Sequence, residues 1–208
     1  MRPSPEFAAA MARCPLVAIL RGVRPEEIEG IADALVEAGF SMIEVPLNSP
    51  DPLASIARIA GRYGDDVLIG AGTVLSTDQV EAVRGVGGRL IVSPNTNAAV
   101  IAASAAAGLV SLPGYATPSE AFAAIEAGAS GLKLFPAEAA SPAVLRAHRA
   151  VLPRDMAVLV VGGITPETMA PWLDSGAQGF GLGSALYKPG DAPAAVGERA
   201  RRFIERVS

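Results

Sequence analysis

Eight short apolar runs alternate with amphipathic stretches along the chain, and this alternation limits the fold more than any other feature. The runs fall at 16–20, 42–46, 67–70, 89–93, 109–112, 131–135, 157–161 and 179–183. Near-continuous apolar runs belong to strands buried on both faces of a parallel sheet. Between them the helical period predicts helices at 25–38, 52–63, 77–86, 98–107, 118–127, 142–151 and 166–175. Pro25, Pro118 and Pro166 suit first helical turns, with Thr117 and Thr165 as N-caps of the last two. Gly39, Gly108, Gly128 and Gly176 suit left-handed helix ends. Eight strand–helix units in 208 residues predict an α/β fold, a single-domain (β/α)8 TIM barrel spanning 1–208. A doubly wound open sheet is the runner-up, and it would more often bring fewer strands and a nucleotide-binding glycine fingerprint.

Composition removes several classes of function. The net charge is −4, and the densest basic stretch, 199–206, is interleaved with Glu198 and Glu205. That is the pattern of a solvated helix face, so no nucleic-acid partner is expected. One histidine (His148) and one cysteine (Cys14) cannot assemble a soft metal site, and His148 is expected on an exposed helix face. A lone cysteine excludes an internal disulfide and suits a reducing cytoplasm. The most membrane-like stretch, 98–112, is too short and too interrupted to span a bilayer, and reads as a buried helix followed by a strand. No membrane association is expected, and the first residues lack the apolar segment of a secretion signal.

Lys133 is the residue that calls for a chemical explanation. It is one of two lysines in the chain, and it interrupts the apolar run Gly131-Leu-Lys-Leu-Phe135. An unpaired ammonium in a buried strand costs several kcal/mol, on the order of the penalty for any buried ion. Two readings are open. Lys133 pairs structurally with a carboxylate such as Glu44, or desolvation lowers its pKa and makes it an imine-forming nucleophile.

In barrels of this kind chemistry gathers where strands end. Arg21, Glu44, Asn48, Thr73, Asn95 and Lys133 fall at or near those ends, as do Gly162-Gly163 and Gly183-Ser184. Glu44 shares the inward alternation of Met42 and Pro46, as either an ion-pair partner of Lys133 or a general acid/base beside it. Glycines after the seventh and eighth strands free backbone amides for an anion such as phosphate. Arg21 and Thr73, a guanidinium and a hydroxyl in one mouth, suit a substrate carboxylate.

These residues sit within longer motifs. Val17-Ala-Ile-Leu-Arg-Gly22, Ile43-Glu-Val-Pro-Leu-Asn-Ser-Pro50, Ile69-Gly-Ala-Gly-Thr-Val74, Ile91-Val-Ser-Pro-Asn95, Leu132-Lys-Leu-Phe-Pro136 and Val161-Gly-Gly-Ile-Thr165 occur in that order. The chain thereby resembles the 2-keto-3-deoxy-6-phosphogluconate/galactonate aldolases, from Pro15 to about Gly190. The resemblance implies a class I aldolase without metal or cofactor, working through a covalent imine on Lys133 with Glu44 as acid/base. It places the pyruvyl group on Arg21 and Thr73, and the phosphate on Gly162, Gly163, Gly183 and Ser184.

The gluconate enzymes typically carry an arginine four positions after the glutamate and a threonine just before the paired glycines. Here those positions are Asn48 and Val161, which is similar to the galactonate branch. The resemblance therefore implies cleavage of a phosphorylated sugar acid of galactonate configuration by a homotrimer. The gluconate epimer, or both, is the alternative substrate, and a non-catalytic phosphosugar-binding barrel is a remote one. A phosphosugar isomerase or epimerase would need two opposed acid/base groups or a His/Asp metal set, and the sequence offers neither.

Overall fold

The computed structural model describes residues 4–64 and 66–207, and its strands form one parallel sheet. The strands are β1 (Leu16–Ile19), β2 (Met42–Pro46), β3 (Leu68–Gly72), β4 (Leu90–Val92), β5 (Val110–Leu112), β6 (Gly114–Tyr115), β7 (Leu132–Leu134), β8 (Val158–Val161) and β9 (Gly179–Leu182). Neighbours pair in the order β5-β4-β3-β2-β1-β9-β8-β7-β6. The two ends of that order, β5 and β6, are separated in the chain by Pro113 alone. They are halves of one extended segment. Its first half pairs with β4 and its second with β7, so the sheet returns on itself as a barrel. Proline cannot donate a ladder hydrogen bond, which breaks the strand at that point. The Pro113 carbonyl still accepts from the Lys133 N–H at 2.9 Å. The expected fifth strand therefore runs past 112, and the eightfold architecture holds.

Ahead of β1 runs α1 (Pro5–Arg13), and the helices that cover the outside are α2 (Ile28–Glu37), α3 (Pro52–Tyr63), α4 (Thr77–Gly85), α5 (Ala98–Ala106), α6 (Pro118–Glu126), α7 (Pro142–Arg149), α8 (Met169–Leu173) and α9 (Pro193–Ile204). Local chemistry sets several starts. Thr117 and Glu120 form a reciprocal capping box ahead of α6, and Asn97, Ser76 and Ser141 cap α5, α4 and α7. Gly39, Gly108, Gly128 and Gly176 all have positive φ, as expected of left-handed helix ends.

Outward strand residues such as Leu16, Ala18, Ile43 and Val45 meet the helices in the larger apolar cluster. Inward residues alternate with them. Val17, Met42, Leu68, Leu90, Val92, Val110, Leu112 and Leu159 form a separate inner cluster. Phe7 and Ala10 of α1 belong to that inner cluster, with Met11 packed against it, so α1 lies on the barrel interior.

Four expectations need correction. First, α1 lies outside the expected helices, because Phe7 and Met11 are its only large apolar residues and the rest of its apolar face is alanine; Ser4 capping the Phe7 N–H and Pro5 at the first turn are its signals. Second, α2 and α8 begin three residues later than expected, at Ile28 and Met169. Before α8, the Thr168 hydroxyl accepts from the Thr165 N–H at 3.0 Å, a local turn that replaces the expected Thr165 cap. Third, His148 is buried, with its ring centroid 5.7 Å from that of Tyr115. A cationic-looking helix end concealed that inward position. Fourth, α5 is not a buried helix: Val100, Ile101 and Ser104 face inward while Ala102, Ala105 and Ala106 are exposed.

Candidate active site

Strand register places the two ionisable interior groups near the same height in the barrel. Glu44 pairs with Ile19 and Gly70, and Lys133 pairs with Gly114 and Leu159. Both side chains line a small apolar space with Val17, Ile19, Val92, Leu112, Leu159, Val161 and Gly181. Both also line the floor of a cleft of about 450 Å3. They therefore stand where the packed interior gives way to the open cleft.

That position governs their charge. Glu44 is only 2% exposed, and burial pushes its carboxyl up to about 7, against the opposing pull of Lys133 and Arg21. Lys133 is 8% exposed, and its pKa is lowered, mainly by burial. Glu44 opposes that lowering and the Arg21 cation adds to it. No ion pair joins Lys133 to Glu44 among the described residues, and Glu44 Oε2 has no hydrogen-bond partner among them. The Lys133 Nζ lies 4.6 Å from the centroid of the Phe135 ring.

Gly72 is the reason the carboxylate fits. A Cβ there would collide with both Glu44 carboxyl oxygens, so Gly72 reserves their space. Thr73 follows directly with φ 58°. A β-branched residue in that region stores roughly 1–3 kcal/mol of strain. The conformation belongs to a residue lining the cleft, where such strain tends to concentrate.

The expected residues do not all occupy equivalent positions. Arg21, Glu44, Thr73, Lys133, Val161, Gly162, Gly163, Gly183 and Ser184 all line the cleft. Asn48 does not line it; its Oδ1 accepts from Arg21 Nη1 at 2.7 Å, so it orients the guanidinium. Asn95 gives way to its neighbour Pro94. Gly162 and Gly163 have φ of 121° and 62°, a backbone path that side chains rarely follow. Four further polar or aromatic residues of the lining were not expected at the site: Phe135, Glu138, Thr165 (expected only as a helix cap) and Lys188. Glu138 lies just past the lysine motif, and Lys188 is the only other lysine, so each carried a signal.

Fold and site define a class: a (β/α)8 barrel with a desolvated lysine and a proton-holding carboxyl at the floor of its cleft. The family model "KDPG and KHG aldolase" matches residues 7–192. A relative from Rhizobium meliloti (strain 1021), "Probable 2-dehydro-3-deoxy-6-phosphogalactonate aldolase", is 53% identical over 186 residues, covering 89% of this chain and 88% of its own. The solved "Native KDPGal structure" superposes with a TM-score of 0.92 at 47% identity, covering 94% and 95% of the two chains. A KDPG aldolase from Legionella pneumophila, solved "with pyruvate captured at low pH as a covalent carbinolamine intermediate", superposes with a TM-score of 0.77 at 25% identity, covering 95% and 94%. The chain belongs to the KDPG and KHG aldolase family. It is an aldolase, a carbon–carbon lyase.

Proposed function

We propose that this enzyme cleaves 2-dehydro-3-deoxy-6-phosphogalactonate to pyruvate and glyceraldehyde 3-phosphate, acting as one domain over 1–208. The observation that carries the reading is the pairing, at one cleft floor, of a lysine whose charge is disfavoured by burial with a carboxyl titrating at about 7. Neutral Lys133 adds to the C2 ketone. The resulting carbinolamine loses water with proton transfers through Glu44, leaving an iminium. Ionised Glu44 then takes the C4 hydroxyl proton. The C3–C4 bond breaks, its electrons flow to the iminium as an enamine, and glyceraldehyde 3-phosphate departs. Protonation at C3 and hydrolysis release pyruvate and restore the amine. Arg21, held by Asn48, and Thr73 would bind the pyruvyl carboxylate. The Gly162-Gly163 and Gly183-Ser184 loops would bind phosphate.

The galactonate epimer is favoured by Val161, which lines the cleft immediately before the paired glycines. A threonine there would offer the C4 hydroxyl a hydrogen bond, worth on the order of 0.5–1.5 kcal/mol, that valine cannot. In a side-by-side assay of both C4 epimers, kcat/KM is expected to be higher for the galactonate substrate. Val161→Thr should move the ratio toward gluconate by up to about tenfold. A wild-type preference for the gluconate epimer would overturn the substrate assignment and leave the chemistry standing.

The same reading includes a homotrimer in the cytoplasm. Large apolar side chains left open on the single chain, Leu75 at 48% and Phe122 at 45% exposure, support burial between subunits. Light scattering at micromolar concentration should give three times the chain mass, and a monomer would refute the assembly. The buried, unpaired Cys14 thiol suits a reducing compartment, and no helix among the described residues is long and apolar enough to cross a membrane.

A further inference from the structure

The cleft contains an anion where an anion is to be bound. Glu138 sits on the short 3-10 turn Ala137–Ala139 that follows β7, and it lies against the paired glycines after β8. A Cβ placed on Gly163 would stand 3.2 Å from Glu138 Cγ and 3.4 Å from its Oε1. A Cβ placed on Gly162 would collide with its Oε2. The carboxylate thus rests on the two residues whose positive φ opens their backbone to a ligand. It lines the same cleft as Ser184 and Lys188. No hydrogen bond or ion pair among those of the described residues includes the Glu138 side chain.

We propose that Glu138 is a specificity-determining residue of the phosphate end: an internal anion that weakens phosphate binding and speeds departure of the phosphorylated product. The inference rests on the reading of the cleft given under Proposed function. A dianionic phosphate settling on Gly162 and Gly163 meets a carboxylate already against them. The carboxylate must swing toward solvent, which its exposed position allows, or remain and repel. Lys188, exposed in the same cleft and in none of the ion pairs of the described residues, supplies the opposing attraction. An aldolase gains from such a balance, because phosphate contacts that hold the substrate also hold the aldehyde product and slow its release.

Glu138→Gln removes the charge and keeps the shape. Inorganic phosphate, used as a competitive inhibitor of cleavage, should bind about three- to tenfold more tightly to this variant, the lower range for an exposed charge a few ångströms away. KM for the phosphorylated substrate should fall in parallel. Near 1 M KCl, where the Debye length is about 3 Å, the difference should shrink, which a purely steric role would not produce. Glu138→Asp, which keeps the charge, should stay on the wild-type side of this difference. Unchanged or weakened phosphate inhibition in Glu138→Gln would overturn the inference. Borohydride capture of pyruvate by the wild-type enzyme, run alongside, tells the two failures apart. Capture with unmoved phosphate inhibition removes only the role of Glu138, whereas no capture removes the aldolase chemistry beneath it.

Discussion

Lys133→Met should reduce turnover by at least about 10⁴-fold, because removing a covalent nucleophile removes the step that splits a difficult cleavage into easier ones. Methionine is unbranched, of similar length, and at home among apolar neighbours such as Leu112 and Leu159. The fold should therefore survive, and a melting temperature close to wild type would tie the loss to chemistry. Direct evidence comes from pyruvate with borohydride, which reduces an imine to a stable amine. The peptide containing Lys133 should gain a three-carbon adduct. The chain offers only Lys188 as another imine-forming side chain, so the assignment is clean. An adduct on Lys188 alone, or substantial turnover by Lys133→Met, would refute the proposed role.

The barrel was legible because parallel strands must be apolar on both faces, and unbroken apolar runs separated by capped helices have few other solutions. Lys133 was legible for the same reason: a charge in such a run contradicts its surroundings and calls for a compensating cause. The outlines of the cleft also followed, since strand ends can be counted. What escaped were features created only by three-dimensional proximity. The covering of the barrel interior by α1 depends on Phe7 meeting residues from several strands. The burial of His148 depends on Tyr115, which lies beyond a proline that interrupts the strand pattern. Glu138 sits in a short turn with no periodicity, and its contact with Gly162 and Gly163 joins segments that share no local pattern. Asn48 is legible as a polar residue near a strand end, but a sequence does not reveal that its Oδ1 accepts from the Arg21 guanidinium.

Glu44→Gln should lower kcat by roughly 10²–10⁴-fold, the usual contribution of a positioned acid/base. The substitution keeps the shape that Gly72 accommodates while removing the titration. In the wild type, abstraction of the C4 hydroxyl proton needs the ionised carboxylate, so kcat/KM should fall as the pH drops below about 7. Glu44→Gln should lack that acid limb. Retention of the limb would assign it to another group, and near-full activity would reduce Glu44 to a structural neighbour of Lys133.

Stability should change in the opposite sense to activity. Burial raises the Glu44 carboxyl from 4.5 to about 7, so the folded protein holds this proton more tightly than the unfolded chain. The advantage is complete below pH 4.5 and is lost as the pH rises through about 7. Above that, ionising a carboxylate in this position costs on the order of 3 kcal/mol relative to a group that stays neutral. Glutamine never ionises. The melting temperature of Glu44→Gln relative to wild type should therefore climb between pH 4.5 and about 7, then level several degrees higher. A difference that does not vary with pH would mean that Glu44 is not the strained, proton-holding group its burial makes it. Joined to the loss of turnover, a stabilised variant would show that the carboxylate is kept at the cleft floor for its proton and against the preference of the fold.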